Sequence, residues 1–416
     1  MKTSKIERPR GTHDVVPAEQ PLWRLAIGEA EHLCALYGYR PIVTPVFEET
    51  ALFERTSGAG SDVVQKEMYS FEDRGGRSLT LRPEATAPIC RAYVDHGMHR
   101  EAQPVKLYTV APFYRYAAPQ RGRYREHWQL SVEAIGSDDP SLDAEVIQLY
   151  DALLARLGIS DYALELNSIG CRDCRPAYLE RLAEWLRAND SRLDEPTREK
   201  AATSPLRVFD NLDAKPASVQ EALREAPTVG ESLCDACRAH FAAVRGDLDA
   251  SGVAYELVPT LVRGLDYYTR TTWEFLGPEE GAQSALSGGG RYDGLVEEIG
   301  GAPAPGVGFG AGIERLVLAL ESSEVSAQVP AIDVFFALED GAPRERVAQW
   351  LGELRARGVA SDTDFAGRSM KGQLTQAGRL GAATTVVVRG DGASIRRAGE
   401  DDVEVGLDDV PARLLA

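Results

Sequence analysis

A change of hydrophobic rhythm along the chain narrows the fold more than any other feature. Up to about residue 320, strand-like runs are joined by polar or glycine-bearing connections; from Ala331 onward, apolar strands alternate with helices. The longest runs, Val105 to Tyr116 and His127 to Ile135, flank one polar loop, and strands joined this way favour antiparallel pairing. Ser78 to Leu81, Tyr162 to Leu166, Tyr255 to Val262, Tyr268 to Phe275 and Gly306 to Phe309 read as further strands. Arg40 to Phe47 is rich in β-branched residues, and its prolines confine it to an edge or interface strand. Leu22, Leu25, Ala26, Ala30, Leu33 and Leu36 recur with helical spacing after Pro21, predicting an amphipathic helix closed by Gly38. Residues 144–157 and Ile313 to Leu320 also read as helices.

Residues 171–250 turn Arg-, Glu- and Ala-rich with a C-x-x-C near each end, and read as an inserted helical module. After a linker over Ser322 to Pro330, strands Ile332 to Leu338, Val359 to Asp362 and Thr384 to Val388 alternate with helices Arg344 to Arg357 and Met370 to Leu380. That order predicts a small α/β domain with a mostly parallel sheet over 331–416. The expected fold class is α+β: an antiparallel sheet flanked by helices over 1–325, carrying the helical insertion, then the C-terminal domain.

A chain of 416 residues exceeds one core, and no apolar run approaches the ~20 residues needed to cross a bilayer. The chain therefore reads as soluble and cytoplasmic, with no membrane partner. A net charge of −18 argues against nonspecific binding along duplex nucleic acid. It leaves room for a local basic surface, and residues 114–125 supply one: Arg115, Arg121, Arg123 and Arg125 interleave with Tyr114, Tyr116 and Tyr124.

Four segments carry chemistry. Glu84 and Thr86 follow a strand and could hold an amino group by charge-assisted hydrogen bonds, or simply start a helix. Gln129 and Glu133 fall on one face of a strand, where an acid buried beside an amide needs a donor such as an amine or imidazole; a solvated hairpin is the plainer alternative. Arg263 beside Gly264, followed by Tyr267 and Tyr268, offers a planar cation for phosphate or carboxylate, or a surface arginine on an aromatic hairpin. Glycines at 288–290, 294, 306, 308, 310 and 312 could leave room for a flat base with Arg315 over it, or mark turns. Cys171, Cys174, Cys234 and Cys237 have the paired spacing of a structural four-thiolate zinc site, with four reduced thiols as the alternative. Cys34 and Cys90 read as core.

In this order the segments resemble the motifs of class II aminoacyl-tRNA synthetases. Leu261 to Arg270 resembles the signature of the histidyl-tRNA synthetase family, as do Arg10 to Asp14 and Val63 to Tyr69. The resemblance implies a homodimer with Pro45 at its interface, a C-terminal anticodon-binding domain, and ATP-dependent joining of L-histidine to tRNA(His) through an adenylate. It places Glu84, Thr86 and Gln129 at the α-amino group of histidine, and Glu133 and Tyr268 at the imidazole, with Ala85 also in the histidine site and Tyr267 lining the pocket. It gives Arg115 and Arg263 the catalytic grip on carboxylate and α-phosphate, and sets Arg123 and Arg315 on the outer ATP phosphates with Mg2+. Three positions depart from the pattern: His127-Trp128 before Gln129, Ala117-Ala118, and Ala85. The rival reading is a noncatalytic relative, the regulatory subunit of ATP phosphoribosyltransferase, which usually lacks the Arg263 signature and the C-terminal domain.

Overall fold

Pro21 sits in the first turn of helix α1 (Gln20–Leu36), where its missing N–H costs nothing, and Trp23, Ala26, Ala30 and Leu33 are buried. The prolines after Gly38 break the expected strand. Only β1 (Arg40–Pro41) pairs with the main sheet, at its edge. Phe47 instead opens β2 (Phe47–Glu49), which with β3 (Tyr69–Glu72) and β4 (Ser78–Leu81) forms a separate antiparallel sheet beside helix α2 (Thr50–Ser57). Helix α3 (Thr86–Asp95) follows directly. The computed structural model describes residues 5–58, 63–210, 212–278, 285–323 and 331–415, so most of the expected linker lies outside the described residues.

The main sheet takes β5 (Val105–Tyr114), β6 (Glu126–Ile135), β7 (Ala163–Ser168), β8 (Glu256–Leu257), β9 (Thr269–Leu276), β10 (Ala285–Arg291) and β11 (Gly306–Gly312). Its order is β1-β5-β6-β11-β10-β9-β7-β8, antiparallel from β5 through β7 and parallel at both edges. The strand expected over Tyr255 to Val262 shrinks to Glu256–Leu257, because Pro259 turns the chain into a loop. One sheet face is apolar: Leu130 and Val132, Val307 and Phe309, and Trp273 and Phe275 pack with α1, α4 (Pro140–Arg156), α8 (Asp235–Ser251) and α10 (Ile313–Ser322). Trp128 lies edge-on to Trp23 on this side, 6.3 Å between centroids.

Between β7 and β8 the insertion holds α5 (Arg175–Ala188), α6 (Glu195–Thr203), α7 (Ala217–Arg224) and α8, gathered around its own core of Tyr178, Leu182, Val208, Leu223 and Val229. The short helix α9 (Leu295–Glu298) follows β10.

The chain divides into two compact units, 1–327 and 328–416. The second holds β12 (Val334–Leu338), α11 (Arg344–Ala356), β13 (Ser361–Thr363), α12 (Met370–Arg379), β14 (Thr384–Val388), β15 (Ala393–Arg397), β16 (Val403–Val405) and α13 (Val410–Leu414). Its sheet, β13-β12-β14-β15-β16, is parallel over the first three strands and antiparallel over the last two, so it is mixed rather than mostly parallel. β15 and β16 are short and partly charged, and carry no apolar run to announce them.

Candidate active site

The other face of the main sheet is cleared by glycine. With a side-chain period of two, β6 presents Gln129, Ser131 and Glu133 on this face. Its neighbour β11 answers with Gly308 opposite Glu133 and Gly310 opposite Ser131. A Cβ on Gly308 would overlap the Glu133 carboxylate, and one on Gly310 the Gln129 amide. The glycines that read as turns or base platforms are thus strand residues that let two polar side chains lie flat on the sheet.

Glu133 is the hub of a buried network. It is 1% exposed. Its Oε1 accepts from the Thr86 hydroxyl at 2.7 Å and its Oε2 from the Tyr292 hydroxyl at 2.5 Å. Burial pushes its carboxyl up to about 8 against the lowering effect of those two bonds. Glu84 is buried as well, and its carboxylate accepts the backbone N–H groups of Thr86 (2.7 Å) and Ala87 (2.9 Å), so it starts α3 in the way the plainer reading of that motif proposed. Burial raises the Glu84 carboxyl above its usual range despite those bonds. Tyr267 lies against Tyr268 with its ring tilted by 55°, 4.7 Å between centroids, and meets Tyr292 edge-on at 6.0 Å. Tyr292 was not singled out by sequence; the signal was an aromatic hydroxyl two residues after the glycine run of β10.

Above this network opens a cleft of about 550 Å³, lined by Arg115, Arg123, Gln129, Arg263, Tyr268 and Arg315 among others. Glu84, Ala85, Thr86, Glu133 and Tyr267 are buried and do not themselves line the cleft, and Ala85 packs in an apolar cluster with Ile89 and Phe113. Arg115 Nε is fixed by the Pro83 carbonyl at 2.7 Å, Arg263 by Glu274 at 2.7 Å, Arg123 by Glu67 at 3.4 Å, and Arg315 donates to the Ala285 carbonyl. Glu67 and Glu274 were unexpected; each is legible only as the partner of an arginine distant in sequence. His127 registers the field: burial, then Arg115, Arg123 and Arg315, push its imidazole down to about 3, so it stays neutral. Of the four arginines in 114–125, only Arg115 and Arg123 line the cleft. Arg121 pairs with Glu321 at 3.3 Å, and Arg125 stacks on Tyr116 at 3.8 Å.

The four insertion cysteines converge. Their Sγ atoms all lie within 4.8 Å of one another, with Cys171–Cys174 at 3.7 Å and Cys171–Cys234 and Cys174–Cys237 at 3.9 Å. A tetrahedron of Zn–S bonds of about 2.3 Å has edges of about 3.8 Å, so the donor set has the size and chemistry of a closed structural site.

Comparison with known proteins agrees with this geometry. The histidyl-tRNA synthetase family profile matches residues 11–316. The histidine–tRNA ligase of Nocardia farcinica is 48% identical over 408 residues, 97% of this chain and 94% of the relative. The crystal structure of apo S. aureus histidyl-tRNA synthetase superposes with a TM-score of 0.81 at 33% identity, covering 99% of this chain and 100% of that one. A Bacillus halodurans C structure described as an ATP phosphoribosyltransferase regulatory subunit/histidyl-tRNA synthetase gives a TM-score of 0.64 at 27% identity over 88% of this chain and 95% of that one. The sequence, the sheet with its arginine-lined cleft and these matches together make the chain a member of the histidyl-tRNA synthetase family.

Proposed function

We infer that the protein is a histidine–tRNA ligase, which activates L-histidine with ATP to histidyl-adenylate and diphosphate, then passes the histidyl group to tRNA(His) and releases AMP. The observation that carries the site assignment is the pairing of Gln129 and Glu133 over Gly310 and Gly308 beside a cleft ringed by arginines. Gly308 and Gly310, over which the two side-chain ends lie, are two strand positions apart, about 7 Å. That is roughly the reach from the α-amino nitrogen of histidine to its far ring nitrogen, so one amino acid bridges both polar groups. On this reading Glu84, Thr86 and Gln129 meet the amino group, and Glu133 and Tyr268 the imidazole. An apolar isostere would leave the Glu133 carboxyl buried without that partner, which is a strong basis for rejection.

The reaction is attack of the histidine carboxylate on the α-phosphorus of ATP, with diphosphate leaving. Two anions must approach, and Arg115 and Arg263 supply fixed positive charge from opposite sides. Because each guanidinium is already tethered, by Pro83 and Glu274, little reorganisation is needed as charge develops. Arg123 and Arg315 take the outer phosphates. Glu67 and Glu274 are hard oxygen donors in the cleft that suit Mg2+, which neutralises phosphate charge when bound. The cysteine cluster takes a structural Zn2+. The second unit binds the anticodon, and the protein works as a homodimer in the cytoplasm. No helix among the described residues is long and apolar enough to cross a membrane.

The test is ATP–pyrophosphate exchange with each amino acid. Exchange with histidine alone, reduced by about 10²- to 10³-fold in Arg263→Ala, is the expected outcome. Histidine binding without exchange would favour the regulatory-subunit reading, which the 48% identity to a named ligase already makes the weaker one.

A further inference from the structure

Arg263, Tyr267 and Tyr268 stand on a stretch without regular structure, between β8 and β9. Carbonyl groups in such a stretch have no ladder to bond to, so side chains or water must satisfy them, and whatever does so also sets the loop's position. At its start, Asn167 of β7 donates to the carbonyls of Pro259 (3.1 Å) and Leu261 (2.9 Å). Among the described residues, the other side-chain donors to its carbonyls come from the helical insertion. Arg207, 7% exposed, donates to the Gly264 carbonyl at 3.1 Å and to the Asp266 carboxylate at 2.8 Å. Arg175, the first residue of α5, donates to the Tyr268 carbonyl at 2.6 Å while also bonding the carbonyls of Ile169 and Gly170. Arg270, just beyond, has a φ of +51°, a conformation that a β-branched or long side chain rarely adopts unassisted. Its N–H donates to Gly170 and its carbonyl accepts from Ile169, so the same junction holds it.

We propose that Arg175 and Arg207 are positioning residues, through which the insertion fixes the Arg263–Tyr268 loop in the geometry that binds histidine and ATP. Neither needs to touch substrate. Arg207 is anchored next to Val208 and Phe209 of the insertion core, and Arg175 directly follows Cys174, so the loop inherits the rigidity of the insertion. This deepens the ligase reading and rests on it.

The experiment compares the full chain with Arg175→Met, Arg207→Met, Arg207→Lys and a control, Arg192→Met, which breaks exposed contacts of the insertion, to Glu225 and Asn189, away from the loop. Two readouts are taken: histidine-dependent ATP–pyrophosphate exchange, and hydrogen–deuterium exchange resolved by peptide. A misplacement of catalytic groups by about 1 Å can cost on the order of 100-fold, so either methionine variant is expected to lose about 10- to 100-fold in kcat/KM for histidine. Amide exchange should rise in peptides spanning 258–270 and stay unchanged in α5 and α8. Arg207→Lys, which keeps a cationic donor, is expected to recover most of the activity, and Arg192→Met to match the natural chain. Unchanged kinetics in both methionine variants would overturn the proposal, as would exchange rising throughout the insertion, which would make the arginines core residues of that module. A natural chain without histidine-dependent exchange would sink the ligase reading instead, and the hydrogen-exchange comparison would still decide the clamp.

Discussion

Histidine recognition should follow the protonation of Glu133. Burial holds this carboxyl at about 8, so in the empty pocket it carries a proton at neutral pH. A neutral imidazole then completes a pair sharing one proton, written either as carboxyl and imidazole or as carboxylate and imidazolium. Below the ordinary imidazole value of ~6.5 a proton must be shed on binding. Above about 8 one must be taken up. Since kcat/KM reports free enzyme and free substrate, its profile for histidine is expected to be a bell between those limits. Tyr292→Phe removes the donor lying 2.5 Å from Glu133 Oε2. A hydrogen bond to a charged group contributes about 1.5–3 kcal/mol. With ~1.4 kcal/mol per pH unit, losing it stabilises the protonated form and moves the basic limb upward by about one to two units. The plateau of kcat/KM falls by about tenfold or more, because the same bond supports the ion-paired complex. The assay is ATP–pyrophosphate exchange from pH 5.5 to 10 on both proteins. The substrate's own α-amino group titrates identically in each, so the displacement between the two curves is the quantity read. A basic limb that stays in place, or moves downward, would refute this account of Glu133.

Three further outcomes follow from the packing. Gly308→Ala drives a methyl into the Glu133 carboxylate and the Val132 carbonyl, and overpacking of this kind costs about 1–3 kcal/mol, so a lower melting temperature with lost histidine-dependent exchange is expected; a fully active variant would mean the strand can shift. Asp143→Ala removes the nearer carboxylate from Arg291, both side chains having no exposure and lying 2.7 Å apart, and leaves Asp293 at 3.3 Å as its other carboxylate; breaking a buried pair costs about 3–5 kcal/mol, to be read as a lowered urea midpoint, and a change below about 1 kcal/mol would show that Asp293 compensates. For the cysteine cluster, elemental analysis is expected to find one zinc per chain, and chelation to lower thermal stability; four titratable thiols with no metal would favour the reduced alternative.

Local pattern carried far in this chain. The two-residue alternation along Glu126–Ile135 already placed Gln129 and Glu133 on one face, and Ser78–Leu81 and Thr384–Val388 are strands with the limits read from sequence. Helical spacing after Pro21 and the change of rhythm at Ala331 follow from the same periodicities, which the covalent chain fixes without help from distant residues. Single breakers such as Pro259 overrode a strand-like composition, and the weakly apolar β15 and β16 escaped notice because they are held by pairing, β15 with β14 and β16 with β15, rather than by an apolar run of their own.

Local periodicity and spacing were therefore enough for the layered sheet, the inserted helices and the paired cysteines, whereas the glycines at 288–290 and 306–312 took their meaning, as strand residues with polar side chains over some of them, from the pairing of β6, β10 and β11. Which faces meet is a matter of packing between distant segments. The hydroxyl of Tyr292 reaches a carboxylate 159 positions away, two of the four arginines near residue 120 turn aside from the cleft, and two arginines of the insertion hold the Arg263 loop. Those partnerships depend on strand register and on where a loop's carbonyls find donors. Both are set by packing between segments far apart in the chain, which no local period encodes.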